Sequence, residues 1–79
     1  MNDEKERNLG EQPIAKLMDE LQLKPADLVR ASTEHITHKM VSRACKGRWL
    51  TPHVRIKVMN ALNKASGEAV SEKELFNYL

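Results

Sequence analysis

The sequence predicts an all-α domain, and three observations lead to this prediction. Gly and Pro are scarce, with three of each in 79 residues, and the β-branched residues do not cluster into strand-like runs. Apolar residues recur at helical spacing, as Ile14, Leu17, Met18 and Leu21 do. Helix-capping residues also recur along the chain. A chain of this length has room for one core, so we expect a single domain of five short helices.

The first two helices are predicted from proline positions and apolar spacing. Residues 1–12 are expected to be a flexible polar tail, because the first ten are highly charged, and residues 13–79 form the domain. Helix 1 covers roughly 13–22 and begins with proline at its first position. Helix 2 begins at Pro25 with Asp27 in the favourable first turn, although Lys24 is a poor N-cap. Its predicted inner face consists of Leu28, Val29 and either Ala31 or Ser32.

Clear start and stop signals mark the next three helices. The stretch "STEH" is a turn whose side chains can bond their own backbone, and Thr37 then caps helix 3, which ends at Gly47. Helix 4 begins at Thr51-Pro52 and ends at Gly67. A capping box over residues 71–74 starts helix 5. The predicted inner face of helix 4 is Val54, Val58, Ala61, Leu62 and Ala65.

Charge is segregated along the chain more than the net charge of +2 suggests. Residues 1–34 contain eight acidic and five basic residues, and residues 68–79 contain three acidic and one basic residue. The span 35–67 between them contains seven basic residues and no Asp or Glu. A basic middle with acidic ends favours binding of a polyanion on one surface, although a solvated face is the simpler alternative.

Helix 3 separates its apolar and polar residues cleanly on a helical wheel. Met40, Val41 and Ala44 lie on the inner side, with Cys45 at the border. The outer side carries only cations and hydrogen-bond donors: His38, Lys39, Ser42, Arg43 and Lys46. An ordinary solvated helix would alternate Glu with Lys, whereas like charges at i, i+4 destabilise a helix slightly. The outer side therefore indicates an anionic ligand.

The spacing of helices 2 and 3 is that of a helix-turn-helix, in which the second helix enters the DNA major groove. On this interpretation Arg43 contacts guanine, and Lys39 reaches the same edge less selectively. The full set of predicted base-reading residues is Thr37, His38, Lys39, Ser42 and Arg43. The predicted phosphate-binding residues are Lys24, Lys46, Arg48, Thr51 and Arg55.

The stretch "ITHKMVSRACKG" resembles the phage repressor/Cro-like helix-turn-helix family, whose common form is V-S-x-x-x-I-S-x-x-x-x-G. Ile36, Thr37, Val41, Ser42 and Gly47 match this form in order. The stretch "VSRACKGRWLTPHVRIKVMNAL" is also similar to the headpieces of lactose-repressor-type proteins. Together these resemblances cover about residues 13–66. They imply a lambda-repressor-like fold and a small, repressor-like regulator that binds double-stranded DNA as a homodimer.

The sequence departs from this family around the turn between helices 2 and 3. Pro25 stands where the family usually has Gln, and Val29 stands where it has a small residue. Aligning Leu28 requires a turn over 32–36 that is two residues longer than usual. The ungapped alignment instead puts Ala31 at the small position, but it places Arg30 and Glu34 where apolar residues belong. We favour the longer turn.

Other kinds of site are poorly supported by the sequence. His38 and Cys45 are two helical turns apart, about 10 Å along the axis, and no compact metal-ligand spacing is present, so neither a metal nor another cofactor is expected. Cys45 is interpreted as a packing residue, and no pattern typical of an enzyme is found. Trp49 is expected to cap the core. The few aromatic residues argue against single-strand binding.

The sequence also predicts partners and a location. The candidate dimer contact comprises Ile56, Met59, Phe76 and Tyr78, although the C-terminal residues could equally fold back over helix 4. A single cysteine and the absence of a membrane-spanning run favour the cytoplasm. A chain ending at Leu79 leaves no room for a sensor domain, so no small-molecule ligand is expected. The alternatives are an antitoxin-type autoregulator and an interaction module that binds an acidic protein.

Overall fold

The computed structural model describes residues 9–79, and within them every regular element is an α-helix. The helices are α1 (Pro13–Glu20), α2 (Pro25–Ala31), α3 (His38–Lys46), α4 (Pro52–Ser66) and α5 (Glu72–Leu75). The prediction of an all-α chain with five short helices is confirmed for this part of the chain. None of these helices is long and apolar enough to cross a membrane. The first eight residues of the predicted tail lie outside the described range.

Helix α1 ends at Glu20, two residues earlier than predicted. Leu21 is its C-cap, and Gln22 adopts the left-handed conformation with φ of 57°. The N–H of Gln22 donates to the carbonyl oxygen of Asp19, and the N–H of Leu23 donates to that of Met18. These two bonds form a Schellman motif, in which glycine usually occupies the position that Gln22 holds here.

Helix α2 starts where predicted because Asp27 compensates for the poor N-cap. One oxygen of its carboxylate accepts a hydrogen bond from the backbone N–H of Lys24 at 2.8 Å. The other accepts from Arg30 at 2.7 Å, one turn further along the helix. The side chain at the third helical position therefore satisfies the backbone N–H of Lys24, which is the half of a capping box that does not depend on the N-cap side chain.

The predicted boundaries of α3 and α4 are confirmed by their caps. The hydroxyl of Thr37 accepts from the N–H of Met40, and that of Thr51 accepts from the N–H of Val54. Gly47 and Gly67 end the two helices in the left-handed conformation. These are the cap types that the sequence indicated.

The predicted capping box of α5 is only half correct. Ser71 is the N-cap residue, but its side chain makes no capping hydrogen bond. The N–H of Glu74 donates instead to the backbone carbonyl oxygen of Ser71. The start of α5 is held from α4, because Glu72 pairs with Arg55 and the Asn63 side chain both donates to and accepts from the backbone of Val70.

A single core lies between the helices. Helix α4 packs against α2, α3 and α5, and α1 packs against α3 and α5. The core consists of Ile14, Met18, Leu28, Ile36, Val41, Ala44, Leu50, Val58, Ala61, Leu62, Leu75 and Phe76. The predicted inner face of α4 is confirmed, since its two remaining members, Val54 and Ala65, pack against this core. In α2, Leu28 is buried and Val29 packs beside it.

Residues 9–12, which the sequence places in the polar tail, form hydrogen bonds with the rest of the fold. The N–H of Leu9 donates to the carbonyl oxygen of Gly47 at 2.7 Å, and that of Gln12 donates to that of Cys45 at 3.0 Å. The Gln12 side chain is buried and accepts from the N–H of Asn77 at 2.7 Å. We call residues 9–12 the N-terminal strap, because they cross the end of α3 and join it to the C-terminus.

Candidate functional site

The orientation of α3 is the one that the helical wheel predicts. Val41 and Ala44 are buried, and Met40 and Cys45 are half-buried against the core. His38, Lys39, Arg43 and Lys46 are exposed, and Ser42 is half-buried. The apolar residues therefore fix the rotation of the helix, and its cations are left facing solvent.

The outer side of α3 borders a surface depression of about 370 Å³. Five side chains line it: Lys39, Ser42, Arg43, Lys46 and Arg48. We call this the cationic depression. Lys39, Arg43 and Lys46 form no salt bridge with any carboxylate of residues 9–79. The positive charge of these three side chains has no carboxylate partner within this part of the chain.

Arg48 reaches the depression because the chain reverses at Gly47. This residue has φ of 87°, and the N–H of Arg48 then donates back to the carbonyl oxygen of Arg43 at 3.0 Å. The backbone at position 47 is closely covered by the N-terminal strap, since a Cβ there would overlap the carbonyl group of Gly10. Glycine is required on both counts, and it brings Arg48 beside the last turn of α3.

The N-terminal end of α3 is also exposed but stands apart from the depression. Thr37 and His38 are both exposed, and neither lines the depression. The Thr37 hydroxyl is occupied as an acceptor by the N–H of Met40. Of the five predicted base-reading residues, the structure therefore gathers three around the depression and leaves these two at the start of the helix.

The predicted phosphate-binding residues divide into two groups. Lys46 and Arg48 line the depression, whereas Lys24 and Thr51 are exposed elsewhere, at the N-caps of α2 and α4. The prediction that Arg55 binds phosphate is not supported by its position, because this residue is only 8% exposed. Its Nε donates to Glu72 at 2.7 Å and its Nη1 donates to the carbonyl oxygen of Leu50 at 2.7 Å. The guanidinium is thus held inside the fold and is not offered to a phosphate.

Aromatic rings complete the surroundings of Arg55. Its Cζ lies 5.9 Å from the ring centroid of Trp49 and 5.6 Å from that of Tyr78, which is within cation–π range. Burial alone lowers the pKa of Arg55, but Glu72 and the Tyr78 hydroxyl outweigh burial and raise the pKa above its ordinary value. Trp49 is 42% exposed, so the prediction that it caps the core is wrong. It covers a buried cation instead.

The four residues of the predicted dimer contact differ in how exposed they are. Phe76 is buried in the core, so it is not available to a second copy. Met59 and Tyr78 are half-buried and pack against the core. Ile56 is 41% exposed, which shows that the C-terminal residues do not cover it. Of the four candidate residues, Ile56 alone remains a large exposed apolar side chain.

The segment between α2 and α3 agrees with the longer of the two predicted turns. Six residues, 32–37, separate the helices. Arg30 and Glu34 are exposed, which does not agree with the apolar positions that the ungapped alignment gives them. The Ser32 hydroxyl bonds both the N–H and the carbonyl oxygen of Glu34, as expected for a turn of this composition. Asn60 of α4 donates to the Glu34 carboxylate at 3.0 Å and holds the turn in place.

Cys45 lies at the core border, with its Sγ 3.7 Å from the sulfur of Met18. Burial raises the pKa of its thiol, and the negative charge of Glu11 raises it further. Both effects favour the thiol over the reactive thiolate, in agreement with the prediction of a packing residue. Among residues 9–79, no group of three or more His, Cys, Asp or Glu side chains is arranged to hold a metal ion.

The residues that the sequence reasoning missed are those that hold the depression in shape. Gln12 bonds the end of α3 and the C-terminus, and Gly10 covers Gly47. Gln12 stands immediately before the N1 proline of α1, so its role at a helix start was visible. Its bond to Asn77 spans 65 residues, and no local sequence signal indicates such a partner.

Comparison of the chain with protein-family models, with curated proteins and with solved structures found no match.

Proposed function

We propose that the protein binds double-stranded DNA sequence-specifically through α3 and acts as a small transcriptional regulator. One observation carries this proposal: Lys39, Arg43 and Lys46 lie together on the cationic depression, without a carboxylate partner in residues 9–79. DNA is the abundant polyanion whose repeating charge suits such a surface. Residues 35–67 contain no Asp or Glu, so no carboxylate of the same segment offsets the charge of α3.

The order and packing of the helices support the same proposal. Helices α2 and α3 pack against each other and are consecutive in the chain, as in a helix-turn-helix with a lengthened turn. In such a unit, the second helix enters the major groove and its N-terminal residues meet base edges. The outer side of α3 has the required polar character, and Asn60 fixes the turn that presents it.

The energetics of α3 also favour an anionic ligand. Lys39 and Arg43 stand at i, i+4, a spacing at which like charges destabilise a helix by roughly 0.2–0.5 kcal/mol. No carboxylate of the described residues offsets this repulsion. Phosphate groups would remove it on binding, so the arrangement weakens the free protein slightly and strengthens the complex.

A homodimer is part of the proposal, because a small operator-binding domain needs two copies to reach two half-sites. Ile56 on α4 supports it as an exposed apolar residue outside the cationic depression. We expect Ile56→Glu to weaken self-association and the binding of paired half-sites, with unchanged folding. Sedimentation of the free protein and of its DNA complex would measure both effects. A monomeric wild-type complex on a single half-site would contradict the dimer.

Selection of bound sequences from random duplexes tests DNA binding directly. We expect an enriched motif with half-sites about 34 Å apart, or a multiple of that distance. We also expect affinity to fall steeply with salt, since bound phosphates release counterions. Lys64→Ala is the matched control for Lys46→Ala, because Lys64 is an exposed lysine of the acid-free span that does not line the depression. Two results together would favour an acidic protein as the partner. Selection would enrich no motif at moderate salt, and Lys46→Ala and Lys64→Ala would lose the same affinity for duplex DNA.

A further inference from the structure

We infer that the cationic depression holds backbone phosphates of the DNA, so that Ser42 and Arg43 position the duplex and His38 reads the bases. This inference rests on the proposed function and assigns roles within it. It departs from the sequence prediction, which placed Ser42 and Arg43 on base edges. The structure brings both side chains into one depression with Lys46 and Arg48, whereas His38 stands outside it.

The number of charges in the depression points to phosphate. Four cationic side chains and one hydroxyl line a space of about 370 Å³. A base edge presents partial charges, with both donors and acceptors, and guanine offers a side chain only two acceptors in the major groove. A phosphate carries a full negative charge and accepts hydrogen bonds from several directions. Cations that converge on one space are therefore matched by phosphate oxygens and not by a single base pair.

The dimensions of the depression agree with this assignment. Its lining runs along α3 from Lys39 to Lys46, a separation of seven residues or about 10 Å along the helix axis. One strand of duplex DNA carries a phosphate about every 3.4 Å along its axis, so a length of about 10 Å is enough for two neighbouring phosphates. Arg48 closes the far side because Gly47 turns the chain back beside Arg43.

His38 is the side chain left for the bases. It is the first residue of α3, and it is exposed. The N-terminal residues of a recognition helix are the ones that meet base edges. The two ring nitrogens of histidine can donate to or accept from base edges, so this side chain can discriminate between base pairs. Neighbouring Thr37 already uses its hydroxyl oxygen to cap the helix.

The assignment is tested by measuring the affinity of each variant for the selected duplex and for a scrambled duplex over a range of salt concentrations. We expect Arg43→Ala and Lys46→Ala to reduce the affinity for both duplexes by the same factor, so that the ratio of the two affinities stays within about twofold of the wild-type ratio. Each variant should also lower the slope of log affinity against log salt by roughly one. His38→Ala should reduce the ratio by about fivefold or more and leave the salt slope unchanged. Lys64→Ala, the matched lysine control outside the depression, should change the slope least. The assignment is overturned if Arg43→Ala abolishes the preference while scrambled DNA binds normally.

Inorganic pyrophosphate separates a DNA backbone from a free phosphate compound as the ligand. In the free protein, we expect pyrophosphate to perturb the amide resonances of residues 39–48, and to do so less in Arg43→Ala. No perturbation there, combined with normal duplex binding, would overturn the phosphate assignment and leave the proposed function standing. Perturbation without any duplex binding would overturn the proposed function and leave a site for a free phosphate compound.

Discussion

Arg55 donates from Nε to a carboxylate oxygen of Glu72 at 2.7 Å, and this ion pair ties the C-terminal helix to α4. Arg55 is 8% exposed, and its Nη1 also donates to the carbonyl oxygen of Leu50. A charge that is buried to this extent destabilises the fold unless it is paired. The pair therefore holds together the α3–α4 link, α4 and α5.

Removing the carboxylate from this pair should destabilise the protein. We expect Glu72→Ala to lower the free energy of unfolding by about 1–3 kcal/mol, because Arg55 loses a charged hydrogen bond and stays buried. Urea denaturation of the purified protein measures this. Glu74→Ala is the matched control, since Glu74 lies in the same first turn of α5 but is exposed. Equal effects of the two variants would show that the helix dipole, and not the ion pair, is responsible.

Gly47 should tolerate alanine far less well than Gly67. Both have positive φ, but a Cβ at 47 overlaps the Gly10 carbonyl group, whereas a Cβ at 67 meets nothing within 4 Å. We expect Gly67→Ala to cost about 1 kcal/mol for the left-handed backbone alone, and Gly47→Ala to cost at least about 1 kcal/mol more. Thermal unfolding of both variants measures the difference. Similar losses of stability in the two variants would show that the N-terminal strap can move away from position 47 at little energetic cost.

The same substitution should affect DNA binding through Arg48. Displacement of the strap or of the reversal at Gly47 would move Arg48 away from Arg43. We therefore expect Gly47→Ala to weaken duplex binding at a temperature where the variant is still folded. Gly67→Ala serves as the control here too, because Gly67 ends α4 and lies outside the cationic depression. Unchanged affinity in Gly47→Ala would contradict this role for the reversal.

Gln22 offers a site for stabilisation. It occupies the left-handed position of the Schellman motif with φ of 57°, which strains any residue with a Cβ. We expect Gln22→Gly to raise the free energy of unfolding by about 0.5–1 kcal/mol, with the strain relieved exceeding the extra entropy of glycine in the unfolded chain. A β-branched residue should do the opposite, so Gln22→Val is expected to be less stable than the wild type. Chemical denaturation of the three proteins gives the order, and a loss of stability in Gln22→Gly would contradict the interpretation.

Cys45 should make stability fall at high pH. Its pKa is raised in the folded state, chiefly by burial, so the thiol is held protonated there more firmly than in the unfolded chain. As pH rises past about 9, the unfolded thiol ionises first and the unfolded state gains stability. Below that pH both states are protonated and the thiol adds no pH dependence. Denaturation of the wild type and Cys45→Ala at pH 7.5 and pH 10 (about these values) isolates the thiol from the lysines and tyrosine that titrate in both proteins. An equal loss of unfolding free energy between the two pH values in the wild type and in Cys45→Ala would contradict this role of the thiol.

Local features of the sequence determined the helices and the rotation of α3. Threonine caps and left-handed glycines fix α3 and α4 within a few residues, because capping bonds form between near neighbours in the chain. The apolar spacing of Met40, Val41 and Ala44 fixes which side of α3 faces solvent, because only that side can be buried. Its outward cations, and hence the hypothesis of an anionic ligand, follow from the sequence alone.

Contacts between distant residues decided what those cations form. Arg55 has the same charge as Arg43, but its partner Glu72 lies 17 residues away, and the ion pair removes Arg55 from the surface. Gln12 finds Asn77 at a separation of 65 residues, and Gly10 covers Gly47, so a stretch that looked like a polar tail holds the end of α3 in place. Local periodicity carries no information about such pairs. The reversal at Gly47 that brings Arg48 beside Arg43 is itself local, but the strap that covers this reversal comes from residues far away in the chain.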